Sequence, residues 1–178
     1  MAFPTKTYRK LHFAKVSVSY IAGKQSKLSY DQIQELVINI LNETLSLTLA
    51  DLNEWIDEKV PKRTGKLRKD LKLEIKSSFV SRMLLRLKLG THISYAEFVN
   101  NMMTSQVAHE GEWGTAYYGG YHGKIFLNDP NAVGWFFVQM IEYAKKRLEV
   151  NFIKAKAINL SGKGVGGKMI SNKFKWGV

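Results

Sequence analysis

Residues 60–101 read VPKRTGKLRKDLKLEIKSSFVSRMLLRLKLGTHISYAEFVNN, and the periodicity of this stretch decides the fold. Leu67, Leu71, Leu73 and Ile75 stand at odd positions, against Lys66, Arg68, Asp70, Lys72, Glu74 and Lys76 at even ones. Met83, Leu85, Leu87 and Leu89 then alternate with Arg82, Arg86 and Lys88. Alternation with period two marks half-buried strands, so the stretch predicts a long β-hairpin, apolar side inward and mostly basic side outward. Two short motifs bracket it. Pro61, Thr64, Gly65, Leu67 and Arg68 form P-x-x-T-G-x-L-R at the entry, where proline stops a helix and Thr-Gly supplies turn chemistry. Gly90, Thr91, Tyr95, Ala96 and Val99 form G-T-x-x-x-Y-A-x-x-V at the exit. There Gly90 ends the strand, and Ser94 is placed to cap a helix holding Tyr95, Phe98 and Val99.

Helical patterns flank the hairpin. Upstream, Ser29 and Gln32 make a capping box, and Ile33, Leu36, Val37, Ile40, Leu41, Leu45, Thr48, Leu52, Trp55 and Ile56 recur at helical spacing. A helix over 29–59 is ~45 Å long at 1.5 Å per residue. Downstream, Asn128 or Asp129 caps a final helix with Pro130 in its first turn. Its apolar side is Val133, Phe136, Phe137, Met140, Ile141, Ala144, Leu148 and Phe152, and it extends to about residue 158. Residues 16–20, VSVSY, suit an edge strand. Residues 102–123 hold five glycines with Trp113, Tyr117, Tyr118 and Tyr121, the composition of a loop or loose hairpin. The fold class expected is α+β: an antiparallel sheet built on a long hairpin, flanked by a long N-terminal helix and a C-terminal helix. Residues 1–160 read as one domain with a basic N-terminal arm, and residues 161–178 as a flexible basic Gly/Lys-rich tail that orders on a partner.

Charge is segregated along the chain. The net charge is +12, yet all fifteen acidic residues lie within 31–149, where fifteen lysines and arginines balance them. The excess is six bases before position 29 and six after Glu149. Such basic arms on a neutral body point to an anionic partner, nucleic acid or acidic protein, or serve solubility alone. Within the body, the long helix carries seven acids and no base before Lys59, while 59–90 carries eleven bases against Asp70 and Glu74. Helix and hairpin can pair inside one subunit, or the helix of one copy can meet the hairpin of the next.

The two motifs, a hairpin length apart, resemble the tail-completion and neck family of tailed viruses, named for the minor tail protein ten of a lambda-like phage. The resemblance covers residues 60–101, and the flanking helices by order. It implies a structural virion protein without catalytic turnover, a ring of six or twelve copies around the DNA channel. The ring joins the portal-side connector to the tail tube proteins. The protein is then made in the host cytoplasm and resides in the neck. Under that reading Lys66, Arg68, Lys72, Lys76, Arg82, Arg86 and Lys88 contact the next subunit or, transiently and without sequence preference, the genome in the lumen. The alternative is a stand-alone basic nucleic-acid-binding or packaging accessory protein, and a solvated strand face is the plain reading of the same bases.

Little else points to chemistry. His109, Glu110 and Glu112 cluster in sequence without the spacing of a zinc protease, and His12 and His92 have no ligand candidates nearby. The run Gly162 to Lys168 lacks Walker spacing and a preceding strand, and no nucleophile elbow occurs. The expectation is no catalytic, cofactor-binding or metal-binding residues. With no cysteine, a disulfide framework and thiolate chemistry are excluded. No apolar run approaches ~18 residues and the N-terminus lacks a secretory core, so a soluble, non-membrane protein is expected.

Overall fold

The computed structural model describes residues 12–20, 29–61, 65–96, 100, 113–118, 121–126, 135–161 and 170–177. The chain runs β1 (His12–Tyr20), α1 (Tyr30–Lys59), α2 (Lys66–Lys76), β2 (Phe79–Ser81), β3 (Leu84–Leu89), β4 (Trp113–Tyr118), β5 (Tyr121–Phe126), α3 (Phe136–Leu160) and β6 (Ile170–Gly177). Its class is α+β, an antiparallel sheet with a long N-terminal helix and a C-terminal helix.

Helix α1 starts where its caps dictate. The Ser29 hydroxyl accepts from the Gln32 amide at 3.3 Å, and the Gln32 side-chain oxygen accepts from the Ser29 amide at 2.9 Å. Ile33, Leu36, Val37, Ile40, Leu41, Leu45, Leu52 and Ile56 form its buried stripe, which packs along α3. Helix α3 buries Phe136, Phe137, Met140, Ala144, Leu148, Phe152 and Ala155 in return. It begins at Phe136, and the caps expected at Asn128 and Asp129 lie outside the described residues. Capping comes from a distance instead: Asn100, 8% exposed, accepts from the Phe137 amide through Oδ1 at 2.8 Å and from the Trp135 amide through its carbonyl at 2.6 Å. A borrowed oxygen of this kind satisfies amide donors that the first turn of every helix leaves open.

The long hairpin is shorter than its alternation implies. Residues 66–76 are helical, and the hairpin is β2–β3 alone, turning through Arg82 and Met83. The reason lies in burial. Leu67, Leu71 and Ile75, four residues apart, share one helical face and are buried, whereas Leu73 is 67% exposed. A strand would have put all four on one side; the helix keeps three and gives up the fourth. The second half holds: Leu85, Leu87 and Leu89 are fully buried, with Arg86 exposed and Lys88 half-buried between them.

The four-stranded sheet has the order β2-β3-β1-β6, and β4 and β5 form a separate antiparallel pair that overlaps residues 102–123, expected to be a loop or loose hairpin, and runs past them to Phe126. Strand β1 is therefore interior rather than at an edge, paired with β3 on one side and β6 on the other. The C-terminal residues expected to be flexible supply β6. Ile170, Asn172, Phe174 and Trp176 alternate with Ser171, Lys173 and Lys175, a period that suits a strand once a partner edge exists. That edge is β1, in the register Val16 to Phe174 and Ala14 to Trp176.

Candidate functional site

The entry and exit motifs converge on α2. Gly65 precedes the helix at φ +75°, a backbone that side chains with a Cβ adopt at a cost. Pro61 and Leu67 are buried beside it, Thr64 lies outside the described residues, and Arg68 reaches back so that its Nε donates to the Val60 carbonyl at 2.7 Å. One turn on, Asp70 Oδ2 accepts from the Thr91 hydroxyl at 2.5 Å and from the His92 amide at 2.7 Å. Thr91 Oγ1 in turn accepts from the Ile93 amide at 3.2 Å, and His92 Nε2 lies 2.6 Å from Glu74 Oε1. His92 thus has a carboxylate partner from α2 that its sequence neighbourhood hides. Gly90 and Ala96 are buried and Tyr95 is 42% exposed; Val99 lies outside the described residues. The entry motif, through Arg68, ties α2 to the end of α1, and the exit motif, through Thr91, ties α2 to the start of the segment after β3.

The seven bases expected on one strand face are split by the helix. Lys66, Arg68, Lys72 and Lys76 belong to α2, Arg82 to the β2–β3 turn, and Arg86 and Lys88 to β3. Arg68 is tied to Val60, and burial holds its guanidinium below the usual value against the opposing pull of Asp57. Lys72 Nζ donates to Asp57 Oδ2 at 2.5 Å, so here the acidic helix and the basic segment do pair inside one subunit. With Asp57 exposed and Lys72 only half-buried, that bridge contributes little to stability. Arg82 turns the hairpin at φ +53° and is exposed.

Between α1 and α2 lies a groove of about 550 Å³. Leu49, Leu73 and Ile75 give it an apolar lining, and Lys69, Lys72, Lys76 and Asn53 complete it. At the far end of α1, Tyr30 is 74% exposed and Asp31 and Glu35 are exposed on the first turns. About twenty helical residues separate this acidic end from Leu49, or ~30 Å along the axis.

A second polar cluster joins α1 to α3, and the apolar pattern gave no sign of it. Arg147 grips Asp51 with two hydrogen bonds, Nε to Oδ2 at 2.6 Å and Nη2 to Oδ1 at 2.8 Å. Asn151, 1% exposed, donates to Asp51 Oδ2 at 2.8 Å and to Thr48 Oγ1 at 3.2 Å. The hydrogen bonds from Arg147 hold the Asp51 carboxyl below its ordinary value despite burial, and they raise Arg147. Trp55 stacks on Tyr143 at 5.9 Å, and the Arg147 guanidinium lies 5.9 Å from the same ring. The available signal was polar spacing within the stripes, Thr44, Thr48 and Asp51 on α1 opposite Arg147 and Asn151 on α3. Such a hydrogen-bonded network between long helices fixes their register.

His109, Glu110 and Glu112 lie outside the described residues. Among the described residues, no group of three or more metal-ligating side chains occurs and no helix is long and apolar enough to cross a membrane. Comparison with known protein families, curated proteins and solved structures finds no match.

Proposed function

We propose that the chain is a structural virion protein of the neck: a subunit that joins the head-side connector to the tail as a ring around the DNA channel and performs no catalysis. The motifs that carry the resemblance are spent on shape. Gly65 and Arg68 set α2 against the end of α1, and Thr91 and His92 tie its carboxylates to the hairpin exit, which suits a building block that must transmit load. The observation that carries the reading is the pair of complementary surfaces ~30 Å apart on α1. One is the apolar groove edged by Lys69, Lys72 and Lys76; the other is the exposed Tyr30, Asp31 and Glu35 end. Two unlike surfaces on one molecule join head to tail, and such contacts close into rings when the rotation permits. Opposite charge steers the encounter and the apolar lining with Leu73 and Tyr30 supplies burial.

The assembly is tested by cross-linking the protein at high concentration and mapping the linked lysine–carboxylate pairs. The reading expects links between Lys69 or Lys76 of one copy and Asp31 or Glu35 of another. It also expects Lys69→Glu with Lys76→Glu to abolish them, and Asp31→Lys with Glu35→Lys in a mixed partner to restore them. Wild-type links between copies that join Asp31 and Glu35 only to lysines other than Lys69 and Lys76, or no links restored in the mixed charge-reversed pair, overturn the proposed contact.

A further inference from the structure

The sheet carries a charge pattern that the sequence divides among three distant segments. Strands β1, β2, β3 and β6 contain no aspartate or glutamate, and their five bases are Lys15, Arg86, Lys88, Lys173 and Lys175. The register pairs Arg86 with Lys15 and Lys15 with Lys175, one continuous row across β3, β1 and β6. Lys88 stands two residues along β3 from that row, and Lys173 two residues along β6. Side chains alternate between faces along a strand, so all five positions belong to one face. It is the face opposite the buried Leu85, Leu87 and Leu89, which join the helical core. Arg86 is exposed and Lys88 half-buried there, and the two cations share one ring, lying 5.8 and 5.9 Å from the centroid of Phe79. Among the described residues neither pairs with a carboxylate. Like charges held over one ring without a counterion repel, and an incoming anion relieves that repulsion.

We infer that this face binds the phosphate backbone of nucleic acid, without reading sequence. Residues two apart on a strand are ~7 Å apart and neighbouring strands ~5 Å, so the five backbone positions span about 10 by 13 Å. A regular array of basic positions, on strands that carry no acid, matches a polyanion of regular charge better than an acidic protein surface. Phosphate contacts from lysine and arginine position a nucleic acid and carry no sequence information. The inference rests on the sheet register, not on the neck reading.

The test is fluorescence anisotropy of the full chain with a labelled 20-base-pair duplex of arbitrary sequence, titrated between 50 and 200 mM salt. Five neutralised phosphates give a slope of log K on log salt of about −4.5, a loss of roughly 500-fold over that range. Replacing all five bases with glutamine is expected to flatten the slope to near zero. Arg86→Gln with Lys88→Gln, both on the described surface, is expected to lower its magnitude by about 2. That second variant, checked by circular dichroism, guards against a fold lost in the first. Lys69→Gln with Lys76→Gln on α2 is expected to leave the slope unchanged. An unchanged slope in the Arg86 and Lys88 variant overturns the inference, as does equal competition by polyglutamate of the same charge, which would assign the face to an acidic protein.

Discussion

At Gly65 a Cβ would meet no atom within 4 Å, so the demand is conformational alone. At φ +75° alanine is strained by about 1 kcal/mol, whereas asparagine tolerates this region better. Thermal unfolding should therefore rank glycine first, then Gly65→Asn, then Gly65→Ala; alanine equal to glycine would remove the backbone argument. The T-G pair was legible as turn chemistry because glycine's role is written in its own identity. The partners of Arg68, Asp70 and His92 were not legible, because each bond spans 8 to 22 positions of sequence and depends on α2 being a helix.

That helix is where local pattern misled. Residues 67–75 satisfy a period of two and a spacing of four at once, and only burial separates them. Leu71 is fully buried and Leu73 67% exposed, so truncation tells the two structures apart. Leu71→Ala should cost about 2–5 kcal/mol in denaturant unfolding, and Leu73→Ala within about 0.5. Similar losses at both positions would instead indicate a strand. Helix α1 was legible nearly residue by residue, since a long stripe with a capping box admits one period; α3 was legible in its stripe and its far end but not in its start at Phe136, where Asn100, 37 positions before Phe137, supplies the acceptors. Their polar seam was not. Asp51 has a depressed pKa in the folded state, so its contribution is fully present above the unfolded carboxyl value near 4 and is lost as pH falls through the folded one. Wild-type Tm should accordingly drop more between pH 5 and 2 than that of Asp51→Asn, which is already less stable at pH 7. Parallel pH profiles would show that Asp51 does not titrate against Arg147.

For the molecule as a whole, both chain termini close the sheet. Strand β6 covers one edge of β1, and that edge presents open backbone donors and acceptors when β6 is removed. A chain ending at residue 169 should melt at lower temperature and aggregate faster, with light scattering as the readout; unchanged melting would mean β6 adds nothing to the fold. Part of the excess charge read at the two ends of the sequence takes on a place through this pairing, because β1 and β6 put Lys15 and Lys175 in register with Arg86, and Lys173 two residues along β6. No local window shows that, since register is set across the sheet by the apolar face.

Antibody-gold electron microscopy of particles released by the producing culture tests the central claim most directly. The neck reading expects gold confined to the junction of head and tail on most particles. Purified particles that carry none of the protein would contradict it.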